Sequence, residues 1–371
     1  MIRKLTRASL LALAALTAMV SIADASGVLS IGRRSDSSTF DPINTTQNID
    51  FWVFMNVYDV LVRVDKSGAK LVPGLAESWE ISEDGLTYTF KLRSGVTFHD
   101  GTTMDAEDVK FSLDRILAED SANAQKALYS AISEVTVVDP QTVEVKLSEP
   151  NGNLLFNLAW GDAVIVAPES VETIKQTPIG TGAFKFDEWR QGDKITLSRY
   201  DAYWGDAPAL ASATFKFISD PTAAFASVMA EDVDVFAGFP APENIPQFEA
   251  DPRFQVLIGS TEGETILSIN NQREPFDNVK VRAAVAHAID RQAIIDGAMF
   301  GYGTPIGTHF APHNPDYIDL TEMSAYNPEK SKALLAEAGF PDGFETTLHL
   351  PPPSYARRGG EIIAAQLAQV G

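Results

Sequence analysis

The sequence predicts a mixed α/β fold: a β-rich first half containing a hairpin-built insertion, then α/β units from residue 270 onward. Three observations carry this. Trp79 and Ile81, then Tyr88, Phe90 and Leu92, alternate with polar residues on either side of a Glu83-Asp84-Gly85 turn, the mark of a hairpin with one aromatic face. Val135 and Val137, an Asp139-Pro140 turn, then Val143, Val145 and Leu147 repeat the pattern. Beyond residue 270 the period changes to helical: Val281, Val285, Ala288 and Ile289 share a face, and Asn327-Pro328 with Gly339 bracket another helix.

The elements follow in order. A strand through Val28 and Ile31 runs into a polar loop, RRSDSST, closed by Phe40-Asp41-Pro42. A helix begins near Phe51, and a hairpin over 61–72 turns at Asp65-Lys66-Ser67-Gly68. Val96-Thr97-Phe98 reads as a further strand, with His99-Asp100 at its end. Asp105 caps a helix carrying Val109, Leu113 and Ile116, with Asp108 at its third position. In PIGTGAFKFDEW (178–189), Gly180 and Gly182 around Thr181 suggest a close backbone crossing, a candidate hinge. Strands are expected over 194–199 and 214–218, a helix over 221–231 and a short strand over 233–236. A further strand is expected over 346–350, a loop at PPPSYARR and a helix over 359–370.

Composition narrows the class of function. Residues 1–25 have Arg3, Lys4 and Arg7, an apolar run over 8–22 and Ala23-Asp24-Ala25, a cleavable secretory signal peptide ending before Ser26. The alternative, a short membrane anchor, is disfavoured because a spanning helix needs about 20 apolar residues. The chain carries 29 basic against 50 acidic residues, a net charge of −21. Such a surface repels phosphate backbones and anionic lipid, which argues against nucleic-acid and membrane-surface partners, and no segment after residue 25 is long enough to insert in a membrane. There is no cysteine, hence no disulfide, no thiolate metal site and no lipid-modified cysteine. The expectation is an exported, periplasmic monomer that is not a lipoprotein.

Catalysis finds little support. His99-Asp100 lacks a G-x-S-x-G partner, and Asp-Gly is a turn signal in its own right. His309 and His313 have an H-x₃-H spacing without a third ligand, and Pro312 breaks the helix that would align them. Ser67 and Lys70 match S-x-x-K only inside a turn, and Gly301-Tyr302-Gly303 misses the dinucleotide spacing. No catalytic residue, metal ligand or cofactor is assigned. Binding has two candidates. Arg33, Arg34, Ser35, Asp36 and Ser37 follow a strand, and either line a ligand cleft or form a solvated loop. Tyr355, Arg357 and Arg358 precede a helix, and either receive an anion or pair with surface acids.

GLAESWEISEDGLTYTFKLRSGVTFHDG (74–101) followed by AEDVKFSLDRI resembles the extracellular solute-binding proteins of family 5, the dipeptide and oligopeptide class serving ABC importers. FDP at 40–42, YDVLV at 58–62, PIGTGAF at 178–184, YWGDAPAL at 203–210, PFDNVKVRAAVAHAIDR at 275–291 and YNPEKSKALLAEAG at 326–339 match in the same order. Ala183 departs from the proline usual after GTG, which is expected to loosen the crossover slightly and change no role. The resemblance implies a two-lobed periplasmic binding protein-like fold. The first lobe would span 26–64 and 180–269, an extra hairpin-rich insertion domain 65–179, and an incomplete second lobe 270–371. It also implies a peptide or other small solute held between lobes, with the closed form recognised by a membrane permease. Arg357 or Arg358 would take a carboxylate. The alternatives are an exported hydrolase acting on peptides or sugars, or a non-functional truncated product.

Overall fold

The computed structural model describes residues 27–371 apart from 67 and 69. The proposed signal peptide and Ser67 of the S-x-x-K match therefore lie outside the described residues. Two compact units emerge: residues 27–30 with 36–215, and residues 31–35 with 216–371.

In chain order the first unit opens with β1 (Val28–Arg33), whose second half belongs to the other unit. Then come α1 (Asn48–Val57), β2 (Val62–Val64), β3 (Leu71–Pro73), β4 (Ala76–Ile81), β5 (Thr87–Leu92) and α2 (Ala106–Leu117). The series continues with β6 (Ile132–Asp139), β7 (Thr142–Leu147), α3 (Leu154–Asn157), β8 (Phe184–Arg190), β9 (Lys194–Arg199) and β10 (Ser212–Phe217). The second unit holds α4 (Pro221–Met229), β11 (Val235–Phe236), α5 (Ile245–Glu249), α6 (Val279–Ala288), α7 (Arg291–Met299), α8 (Pro328–Glu337) and α9 (Ser354–Ala368).

The two long hairpins form as their alternation dictates and join in one antiparallel sheet, β4-β5-β7-β6. Trp79 pairs with Phe90, Tyr88 with Val145 and Val135 with Val145. Tyr88, Phe90 and Leu92 are buried with Val143 and Val145 in a core shared with Val109, Leu113 and Ile116 of α2. That helix starts in a full capping box between Asp105 and Asp108. Burial pushes the Asp108 carboxyl up to about 6. The third strand expected at 96–98 reduces to a single bridge, Thr97 to Thr103. There the chain folds back at once, with the Phe98 N–H donating to Thr102 O at 2.8 Å, so no ladder can extend. The unforeseen strand is β8, paired with β9, where a register shift between Phe186 and Glu188 blurs the alternation.

In the second unit the end of β1 pairs in parallel with β11, Ile31 with Val235 and Gly32 with Phe236. Side chains of Asp220, Asn278, Asp290 and Asn327 accept from the first-turn amides of α4, α6, α7 and α8. Ala284, Ala288, Leu335 and Val370 form a small core, and the Ser331 hydroxyl donates to Ala284 O at 2.8 Å. Two expectations need correction. Segment 346–350 forms no strand among the described residues, because alternation makes a strand only where a neighbour completes the ladder. The loop expected at PPPSYARR ends early, since α9 starts at Ser354. Gly359 and Gly360 look like a helix break, yet both are buried; a β-carbon on Gly360 would stand 2.4 Å from both Leu350 Cδ atoms.

Candidate functional site

The His99 corner belongs to the scaffold. Its Nε2–H donates to Gly182 O at 2.9 Å, its Nδ1 accepts from the Gly180 N–H at 3.3 Å, and its ring packs edge-on against Tyr200. The His99 amide adds a bond to Gly180 O at 2.9 Å. The imidazole thus holds both glycines of the GTG segment. Thr181 between them donates to Asp59, a carboxylate also bonded by Trp204 and Arg63. Every polar atom of the histidine ring is engaged with backbone, which leaves none to act on a ligand.

Burial pushes the His99 imidazole below its ordinary range. Between the folded and unfolded values the unfolded chain binds more protons, so stability rises with pH there. The contribution is complete above the unfolded value of about 6.5 and is lost as pH falls through the lower folded value. We expect the stability gap between wild type and His99→Asn to narrow from about pH 8 to about pH 5 in urea titrations. A gap that widens on acidification would contradict this.

The HFAPH histidines meet carboxylates individually: His309 Nδ1 lies 2.9 Å from Glu264 and His313 Nε2 lies 2.9 Å from Glu262. Among the described residues no group of three or more His, Asp or Glu is placed to hold a metal ion.

The first binding loop divides between the two units. In the second, Arg33 is fully buried, with Nε donating to Ser35 O at 2.9 Å and the guanidinium 5.1 Å from the Phe217 ring centroid. Arg34 and Ser35 are exposed. In the first, Asp36 accepts from Trp189 Nε1 at 2.8 Å and from the Gly192 amide at 2.6 Å, and Ser37 is buried. Of this loop, Arg34 is the charged group left facing solvent.

The second candidate lies in the first turn of α9. Arg358 pairs with Glu243 at 2.8 Å and lies over Phe300, 5.1 Å from its centroid. The Glu243 partnership holds that guanidinium further above its ordinary range. Arg357, next along, is exposed and makes no side-chain hydrogen bond or ion pair among the described residues. Tyr355 is half-buried, and the Ser354 hydroxyl donates to Pro240 O at 3.4 Å.

Segment 238–243 links the two candidates. A β-carbon built on Gly238 would stand 3.9 Å from Arg34 Nη2, and the far end of the segment carries Pro240 and Glu243, held by Ser354 and Arg358. The structure thus gathers Arg34 and the start of α9 around one loop of the second unit. Sequence reasoning missed Glu243 and Phe300 as the groups that occupy Arg358. With 50 acidic residues in the chain, no local signal singles out Glu243.

The family profile described as bacterial extracellular solute-binding proteins, family 5 Middle, matches residues 70–371. The chain is 35% identical over 381 residues to the glutathione-binding protein GsiB of Shigella flexneri, covering 100% of this chain and 73% of that protein. A dipeptide-binding protein from Pseudoalteromonas sp. SM9913, solved with Met-Leu, is similar at a TM-score of 0.85 and 25% identity, covering 93% of this chain and 74% of that one. The periplasmic binding protein DppA from Helicobacter pylori, solved with the peptide STSA, is similar at a TM-score of 0.84 and 28% identity, covering 93% and 72%. The two-lobed α/β fold expected from the sequence is the one these relatives share, and no described helix is long and apolar enough to cross a membrane. The chain belongs to the family 5 bacterial extracellular solute-binding proteins.

Proposed function

We propose that the chain is the periplasmic substrate-binding receptor of an ABC importer, delivering a small solute, most suitably a peptide, to a membrane permease and performing no chemistry on it. The observation that carries this reading is the family match over residues 70–371, whose relatives bind solutes. The exposed guanidinium of Arg357 supports it as a carboxylate receptor, since nothing among the described residues neutralises it. The reading includes removal of residues 1–25 on export and a monomeric mature protein without a lipid anchor. It places the first lobe at 26–64 and 180–269, the insertion domain at 65–179 and the second lobe at 270–371.

Arg357→Ala is expected to weaken binding of a short peptide with a free carboxylate by about 1.5–3 kcal/mol, the range for a hydrogen bond to a charged group. Titration calorimetry measures this, and unchanged affinity removes Arg357 from the site. Recovery of the peptide uncut after incubation separates a receptor from an exported hydrolase. Osmotic-shock fractionation tests the compartment.

A further inference from the structure

We propose that Asn151 is a site of self-modification: in the folded chain its carboxamide closes onto the Gly152 nitrogen and is exchanged for a carboxylate. The proposal is independent of which solute the protein binds. Asn151-Gly152 is the one Asn-Gly pair in the sequence. It lies in the loop before α3, with Asn151 half-buried and Gly152 exposed. The main chain there is held. Asn151 O accepts from the Leu154 N–H at 3.2 Å and from the buried Tyr88 hydroxyl at 3.4 Å, and Leu154 itself is fully buried. The side chain folds forward along the chain, its Oδ1 accepting from the Asn153 amide at 2.9 Å. That contact turns the carboxamide carbon toward the intervening nitrogen of Gly152, whose N–H makes no hydrogen bond among the described residues.

The same forward contact recurs at four other asparagines, Oδ1 accepting from the amide two residues on: Asn123 at 2.8 Å, Asn270 at 3.0 Å, and Asn278 and Asn314 at 2.9 Å. What differs is the nitrogen offered. Pro315 follows Asn314 and has no N–H to give up. Val279, after Asn278, is β-branched, and Ala124 and Asn271 each carry a β-carbon beside the nitrogen. Asn123 is also tied down, its Nδ2 donating to Asp162 at 2.9 Å in a buried site. Gly152 has no β-carbon, so its nitrogen approaches the carboxamide most closely. The Asp-Gly pairs at 84–85, 100–101, 296–297 and 342–343 offer ionised carboxylates, whose charge resists a nucleophile. In the step, the Gly152 N–H gives its proton to hydroxide and the nitrogen bonds to Asn151 Cγ. The Cγ–Nδ2 bond breaks and ammonia leaves. Water then opens the cyclic imide at either carbonyl carbon, giving aspartate or isoaspartate, so the sum is one water in and one ammonia out with no oxidation. Either product adds a negative charge to the loop, and isoaspartate also lengthens the main chain that leads to Leu154.

The test is incubation of the purified, folded chain in mildly alkaline buffer, followed by peptide mapping that resolves aspartyl from isoaspartyl forms. Asn151 is expected to convert first, to a mixture of both, with Asn123, Asn270 and Asn278 lagging and Asn314 intact. In Gly152→Ala the conversion is expected to be lost over the same period. A β-carbon at that position meets nothing within 4 Å, so urea unfolding is expected to show an unchanged fold in the variant. An Asn151 that keeps its amide in the folded chain, and converts only once urea has unfolded it, overturns the assignment. So does conversion to aspartate alone, which is direct hydrolysis, or an equal rate in Gly152→Ala.

Discussion

Arg115→Met is expected to lower the unfolding free energy by about 3–5 kcal/mol, the cost of breaking a buried ion pair from one side. Arg115 on α2 donates to both oxygens of Asp41, Nη1 to Oδ1 at 2.9 Å and Nη2 to Oδ2 at 2.6 Å. Asp41 is 1% exposed, so water cannot replace the lost donors. Asn44 remains as a neutral donor to Oδ2, which covers one oxygen and none of the charge. Methionine keeps most of the apolar stem, so the loss reports the stranded carboxylate rather than a cavity. The double variant Asp41→Asn/Arg115→Met is expected to be more stable than Arg115→Met alone, because it removes the buried charge as well. Urea unfolding midpoints at constant slope measure both. A loss below about 1 kcal/mol, typical of exposed pairs, would mean the pair is solvated.

Gly180→Ala is expected to cost about 3 kcal/mol, the upper end of overpacking penalties. A β-carbon there would lie 2.1 Å from Val57 O, 2.7 Å from the Tyr58 ring and 2.9 Å from Val57 C. The obstacle is backbone, and it is tied down, since Val57 O accepts from the Gly182 amide at 2.9 Å. Relief of the clash must therefore break that bond or withdraw Gly180 from His99. The contrast is Gly152→Ala, where a β-carbon meets nothing within 4 Å and the change is expected to stay within about 0.5 kcal/mol. Comparable stabilities for the two variants would show that the crossing gives way without cost.

The GTG segment shows how much was legible. Two glycines spaced around a threonine announce that another backbone passes close, because no other residue type leaves that room. What passes there, the end of α1, and what grips the segment, His99, lie far away in the chain and leave no local mark. The same division holds for secondary structure. The hairpins β4–β5 and β6–β7 and the caps at Asp105 and Asn327 involve neighbours within a few residues, so pattern and capping chemistry suffice. Segment 346–350 carries apolar residues of the right kind, but a strand also needs a partner, which lies outside any window of sequence. The start of α9 was misplaced because a glycine pair reads as a break until Leu350 is seen pressing on it.

By itself the sequence determined the family, the α/β character, the hairpins and the helix caps, all carried by ordered motifs or by interactions only a few residues long. It also located two polar, arginine-bearing segments. Only the tertiary structure decided which of their charges is available. Asp36 is taken up by Trp189 and Gly192, Arg33 by Phe217, and Arg358 by Glu243, each partner more than a hundred residues distant. Arg34 and Arg357 remain. Whether a charge is spent within the fold or left for a ligand depends on what the folded chain brings within about 4 Å of it, and residue type and spacing do not contain that distance.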